Sequence, residues 1–229
     1  MKLAGLMRSS TLDYPGALSA VFFFSGCNYD CFYCHNRSIL TGPGTDMEIS
    51  EALAFLEKRK GLLDAVVLSG GEAALQIGLT ELALTIKAMG FMVKLDTNGS
   101  LPEVVRAMLE KGALDYVALD YKAPWRRYRE IAGENADPEA VKETATLLFD
   151  AALPFEMRTT VIPQLGLDDM LEMAREMPVL PRYVLNPYRM PETYREEDLF
   201  RLKKPPHTPD AIRAFAEEVR PFQPNVIAY

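Results

Sequence analysis

Six short apolar runs alternate along this 229-residue chain with segments of helical patterning, and this alternation restricts the fold more than any other feature. The runs are Ala17–Phe24, Ala65–Ser69, Met92–Asp96, Tyr116–Asp120, Phe155–Ile162 and Arg182–Asn186. The helical segments are Ser50–Lys60, Leu75–Met89, Pro102–Lys111, Pro138–Ala151, Leu167–Glu176 and Pro209–Val219. Six strand–helix units in series predict an α/β fold, a parallel sheet with helices outside it. Right-handed crossovers bend such a series towards a barrel. Eight units need about 250 residues, so the expectation is an open, partial (βα)6 barrel; a doubly wound sheet is the alternative. Phe22, Phe23 and Phe24 are expected in the core, because a parallel strand is buried on both faces.

Local signals set expected boundaries. Ser50 before Glu51 and Thr208 before Pro209 read as helix starts. Gly90 and Gly112 read as helix stops. Asp168 and Asp169 suit the positive end of a helix dipole, and the methionines suit core filling. No interdomain linker, repeat or low-complexity tract is evident, so the expectation is one domain over residues 1–229. Its core is expected to span roughly residues 15–190, with a C-terminal helix and tail over 205–229. Arg201–Pro209 reads as an exposed connection and His207 within it as solvated.

Three cysteines, an odd number, fall within eight positions. A secreted disulfide framework is unsuited to that count, and metal ligation suits it better. The chain has no run of about 18 apolar residues, and Met1–Asp13 lacks signal-peptide character. The expectation is a cytoplasmic protein without a membrane partner. A formal net charge of −7 argues against a nucleic-acid partner.

The cysteines read Cys27-Asn28-Tyr29-Asp30-Cys31-Phe32-Tyr33-Cys34-His35-Asn36, directly after the first apolar run. That is the C-terminal end of a strand, where parallel α/β folds place their chemistry. An iron–sulfur cubane normally takes four cysteines; three leave one iron open to bind a substrate. A zinc site of three cysteines and His35 is the bland reading. It fits less well, because structural zinc sites pair separated ligand couples and His35 adjoins Cys34.

Later strand ends also carry polar groups. Ser69-Gly70-Gly71-Glu72 ends the second run, Asp96-Thr97-Asn98-Gly99 the third, and Asp120-Tyr121-Lys122 the fourth; Arg158 lies in the fifth. Each alone is ordinary: Gly-Gly and Asn-Gly mark turns, and a charge at a strand end is usually solvated. Together they suit a zwitterionic, nucleotide-bearing ligand. Asp96 and Asp120 are candidates for a ribose or monovalent-cation contact, and Lys122 and Arg158 for balancing a carboxylate.

The pattern Cys27-x3-Cys31-x2-Cys34, with Tyr33 before the third cysteine, resembles the signature of the radical S-adenosylmethionine superfamily. Ser69-Gly70-Gly71-Glu72 resembles its Gly-Gly-Glu motif. Further segments resemble the activating enzymes of glycyl-radical proteins, best the longer type that serves anaerobic ribonucleoside-triphosphate reductase. These are Ser10–Gly16, Cys34-His35-Asn36, Lys94–Ser100, Asp115–Pro124, Pro154–Val161 and Tyr183–Tyr188. Ala73 departs from the proline common at its position and matches the pyruvate formate-lyase activase type.

The resemblance implies one 4Fe-4S cluster on Cys27, Cys31 and Cys34, with S-adenosylmethionine chelated to the open iron. It implies reductive cleavage to methionine and a 5′-deoxyadenosyl radical, which takes a hydrogen atom from a glycine of a partner enzyme. A flavodoxin or ferredoxin reductant is implied too. No general base is required, and His35 is expected to be supporting or structural. Other classes remain open: a radical enzyme acting on a small molecule, or a non-catalytic zinc-stabilised interaction module. The basic stretch Trp125-Arg126-Arg127-Tyr128-Arg129 reads as a solvated helix face or as a docking surface.

Overall fold

The computed structural model describes residues 1–41 and 47–229. Two compact units divide the chain, each drawn from separated segments. One comprises Met1–Asn28, Ser38–Ala118 and Ala140–Pro154; the other Tyr29–Arg37, Leu119–Glu139 and Phe155–Tyr229.

In the first unit, β1 (Gly5–Ser10) pairs antiparallel with β2 (Ser19–Phe24). β2 then pairs in parallel with β3 (Ala65–Gly70), and β3 with β4 (Met92–Thr97). The register runs Phe24↔Gly70 and Leu68↔Leu95, which fixes the strand ends relative to one another. Phe22, Phe24, Val66 and Val67 are fully buried, as expected of inner parallel strands. Phe23 is only partly buried and packs on a cluster of Tyr14, Val21, Ala65 and Val67. β1 was not among the expected strands: Gly, Arg and Ser give it no apolar period, and its pairing to β2 makes it a strand.

Helices α1 (Ile49–Glu57), α2 (Leu79–Ala88) and α3 (Pro102–Glu110) follow these strands. Ser50 is not the cap of α1. The extended Glu48 precedes the helix, held there by the antiparallel pairing of Met47–Glu48 with Lys2–Leu3. Likewise α2 begins at Leu79 rather than Leu75, because Gly78 adopts φ +83° and Ala73–Leu75 form a separate 3₁₀ turn. Gly90 and Gly112 do end their helices, at φ +97° and +63°. α4 (Pro138–Asp150) returns the chain to this unit, and the Thr144 hydroxyl donates to the Gly99 carbonyl at 2.8 Å.

β5 (Tyr116–Asp120) starts in the first unit and ends in the second. There β6 (Phe155–Val161) pairs in parallel with β7 (Tyr183–Pro187), and β7 with the short β8 (Val226–Ala228). α5 (Leu167–Glu176) buries Met170 and Met173, and α6 (Pro209–Val219) buries Ile212 and Ala216. Thr208 caps α6 by accepting from Ala211 N at 3.2 Å. Asp169 accepts from Gly166 N at 3.0 Å at the start of α5. The α/β fold of mostly parallel strands with helices is thus as expected.

The structure sharpens three readings of this unit. The basic stretch is solvated at Arg126 and Arg129, as expected, but its arginines are paired. Arg126 pairs with Glu172 and Asp169, and Arg127 grips Glu130, Asp169 and the Gln164 carbonyl. Arg129 donates to the Ala136 carbonyl at 3.2 Å. Residues 203–206 and 208–209 are exposed, as expected of a connection, whereas Leu202 is buried in a short helix over Leu199–Leu202. His207 is half-buried, with Nε2 at 2.9 Å from the Leu165 carbonyl and its ring edge-on to Phe215. No helix among the described residues is long and apolar enough to cross a membrane.

Candidate functional site

The site residues of the first unit gather at the ends of β2, β3 and β4. Gly71 N donates to the Phe24 carbonyl at 3.0 Å and Glu72 N to the Gly26 carbonyl at 2.9 Å. The Gly-Gly-Glu segment is therefore stitched to the residues leading into Cys27. Glycine is required for this. A Cβ on Gly71 would fall 1.9 Å from Gly26 O, and one on Gly70, at φ +129°, 2.3 Å from Phe24 O.

Glu72 is 1 % exposed, and its carboxylate is held by several donors. Oε1 accepts from Ala74 N at 3.0 Å and from the Thr97 hydroxyl at 2.8 Å. Oε2 accepts from Asn98 N at 2.6 Å. Asn98 also aims Nδ2 at Cys27 Sγ, 3.7 Å away, and at Asn28 Oδ1, 3.1 Å away. Ser69 Oγ donates to Asp96 Oδ2 at 3.2 Å, and the buried Lys94 pairs with Asp96 at 2.9 Å. Asp96 is thus already neutralised by a cation of the chain itself.

In the second unit, Tyr29–Arg37 forms a tight arch. Cys34 N donates to the Cys31 carbonyl at 3.1 Å, a turn that keeps the two cysteines together. Arg37 donates to that same carbonyl at 2.8 Å. Cys31 is buried and its thiol lies 3.4 Å from the Ala132 carbonyl. Burial pushes the Cys34 thiol up from its usual range, against the pull of Lys122 and Arg37. Tyr33 is buried edge-on to Phe32. Burial raises the Tyr29 hydroxyl to about 12. His35, by contrast, is exposed.

Asp120 pairs with Lys122 at 3.0 Å and with Arg158 at 3.2 Å. Burial alone would raise its carboxyl, but the two cations outweigh burial and hold it below the usual carboxylate range. A carboxylate shared by Lys122 and Arg158 gives no reason to recruit a monovalent cation. Within each unit, then, the structure groups Cys27 with Asn98, Glu72 with Thr97, Cys31 with Cys34, and Asp120 with Lys122 and Arg158. The Asn98–Cys27 contact and the role of Arg37 carry no local sequence signal.

All three cysteines are free thiols. The model of the radical SAM superfamily matches residues 21–177, which include all three. The chain belongs to the radical SAM superfamily. Membership implies a 4Fe-4S cluster and S-adenosylmethionine. A putative glycyl-radical enzyme activating enzyme of Methanocaldococcus jannaschii is 31 % identical over 98 % of this chain and 94 % of its own. Pyruvate formate-lyase 1-activating enzyme of Escherichia coli is 28 % identical over 78 % of this chain and 76 % of its own. Among solved structures, Streptococcus suis SuiB bound to S-adenosylmethionine superposes with a TM-score of 0.69 at 13 % identity, over 88 % of this chain and 48 % of that one. That likeness concerns the radical SAM fold.

Proposed function

We propose that this radical SAM protein is a glycyl-radical enzyme activase, with anaerobic ribonucleoside-triphosphate reductase as its partner. In this reading Cys27, Cys31 and Cys34 hold the cluster. The donor set fits: three thiols leave one iron of a cubane without a protein ligand, and Asn98 directs an amide at one sulfur. When bound, the cluster supplies the electron that cleaves S-adenosylmethionine.

The chain's own residues bind and orient. The Glu72 carboxylate, fixed by Thr97 and Asn98, receives the methionine ammonium group. Gly70 and Gly71 allow the close backbone approach, while Ser69 and Asp96 line the same strand ends for the ribose. Lys122 and Arg158, both held by Asp120, offer positive charge to the methionine carboxylate, and Tyr33 supports the arch. His35, exposed beside Cys34, is read as a supporting residue of the same arch. Hydrogen-atom abstraction needs no acid or base. A flavodoxin or ferredoxin reductant and a cytoplasmic setting complete the reading.

One observation carries the activase reading: the likeness to a putative activating enzyme extends over 98 % of the chain, not over the cysteine segment alone; the choice of partner rests on the resemblance of segments such as Tyr183–Tyr188. The test is anaerobic purification, iron and sulfide analysis, and assay for 5′-deoxyadenosine after reduction. Incubation with anaerobic ribonucleotide reductase should then give the electron paramagnetic resonance doublet of a glycyl radical. Deoxyadenosine without a glycyl radical would sink the partner; zinc in place of iron, with no product, would sink the whole reading.

A further inference from the structure

The arch Tyr29–Arg37 is gripped by stretches far away in sequence but in the same unit. Arg37, 7 % exposed, donates to Asp30 Oδ1 and to the Cys31 carbonyl, each at 2.8 Å. The other carboxylate oxygen, Asp30 Oδ2, takes Arg195 Nη1. Arg195 is aimed in turn by the buried Asp198, which accepts from its Nε at 2.7 Å. Further along, the Arg201 guanidinium lies 3.7 Å from the centre of the Phe32 ring and donates to the Glu130 carbonyl at 2.9 Å. On another side Gly133 presses against Asp30: a Cβ there would meet Asp30 N at 3.1 Å. A cavity of about 270 Å³ lies among Asp30, Phe32, Gly133, Arg195 and Arg201.

We propose that Arg195 is a positioning residue for the cysteine arch, acting through Asp30. With Arg37 it pins both oxygens of Asp30 and so fixes the peptide that carries Cys31. The proposal rests on the reading of Cys31 and Cys34 as iron ligands. Arg195 lies beyond residues 21–177, so the clasp comes from outside the matched part of the family. The pair itself is partly exposed, at 37 % and 46 %, and exposed ion pairs add little to global stability. Its effect is local. Groups that orient metal ligands typically change metal affinity about 10–100-fold when removed.

The test uses the full chain with Arg195→Ala, Arg195→Lys and Asp30→Asn. Arg213→Ala, which breaks a surface pair with Asp210 on α6, serves as the control. Three quantities are read: thermal unfolding, the rate of iron loss to a chelator after anaerobic reconstitution, and hydrogen exchange of residues 29–37 in the iron-free chain. Arg195→Ala should melt close to the parent yet lose iron about tenfold faster, with faster exchange in the arch before any iron is added. Arg195→Lys, which keeps charge but not the two-pronged geometry, should recover part of the loss. Parent-like exchange and iron loss in Arg195→Ala, or an equal effect from Arg213→Ala, would overturn the proposal. Should Arg195→Ala fold poorly, the near-isosteric Asp30→Asn carries the same expectations. A parent chain that takes up no iron would refute the ligand reading, while exchange in the iron-free chain still decides the clasp.

Discussion

The Thr97 hydroxyl donates to Glu72 Oε1 across 2.8 Å, and both side chains are almost fully removed from water. A buried carboxylate is costly unless its oxygens are satisfied. Thr97→Val keeps the shape and deletes the donor. It should destabilise the chain by about 1–3 kcal/mol, read as a lower urea midpoint. Under the proposed function it should also weaken S-adenosylmethionine binding by about tenfold, the equivalent of about 1.4 kcal/mol. An unchanged midpoint would mean that this hydrogen bond does not hold Glu72 in place.

Glycine should be indispensable at two adjacent positions. Gly70→Ala and Gly71→Ala each drive a Cβ into backbone atoms, at 2.3 Å and 1.9 Å. Both nearest contacts are with backbone, of Phe24 and Gly26, so backbone must move. Each variant should lose at least about 3 kcal/mol by chemical denaturation, from overpacking and, at Gly70, strain. Gly16→Ala is the control: it has φ +76° but nothing within 4 Å, so only strain of about 1–2 kcal/mol applies. Similar losses at all three sites would remove the steric explanation.

Acid should loosen the Asp120 group. Its carboxyl lies below its ordinary value in the folded chain because Lys122 and Arg158 outweigh burial. A depressed carboxyl adds stability above its unfolded value of about 3.9, and that stability is lost as the pH falls through the folded value. Asp120→Asn leaves two cations facing each other. It should therefore be less stable than the parent at neutral pH, and the gap should narrow on acidification below about pH 4. Urea midpoints across that range check it; a gap that stays constant would contradict the pairing.

Gln223 should matter well beyond its size. It is 1 % exposed, its Nε2 faces the carbonyls of Ala174, Met177 and Pro178, and its Oε1 accepts from Leu180 N at 2.9 Å. Gln223→Ala strands these groups at the end of α5. A loss of about 2–4 kcal/mol is expected from unsatisfied buried backbone, measured by thermal unfolding. A loss under about 1 kcal/mol would mean that water replaces the side chain.

The inner strands were legible because strands buried on both faces leave continuous apolar runs: Ala65–Ser69 announces β3 without help from its neighbours. The cysteines were legible because all three lie within a few residues. What stayed hidden depends on distant partners. β1 has no apolar period and β8, though Val-Ile-Ala, is only three residues long; both are strands through register with β2 and β7. Glu48 displaced Ser50 because a two-residue pairing with Lys2–Leu3 holds it extended. The pairing of Arg126 and Arg127 was hidden because the carboxylates that absorb them, Asp169 and Glu172, come more than 40 residues later. A charge has no period, so neither Asp30 nor Arg195 revealed its role.

The contact between Asp30 and Arg195 spans 165 positions. During synthesis at roughly 5–20 residues per second, Asp30 waits roughly 8–33 seconds for its second guanidinium. For that interval the nascent cysteine arch has Arg37 but not its distant clasp. A segment made long after the arch is thus proposed to steady it, and synthesis halted between the two would leave the cysteines present but their arch unsecured.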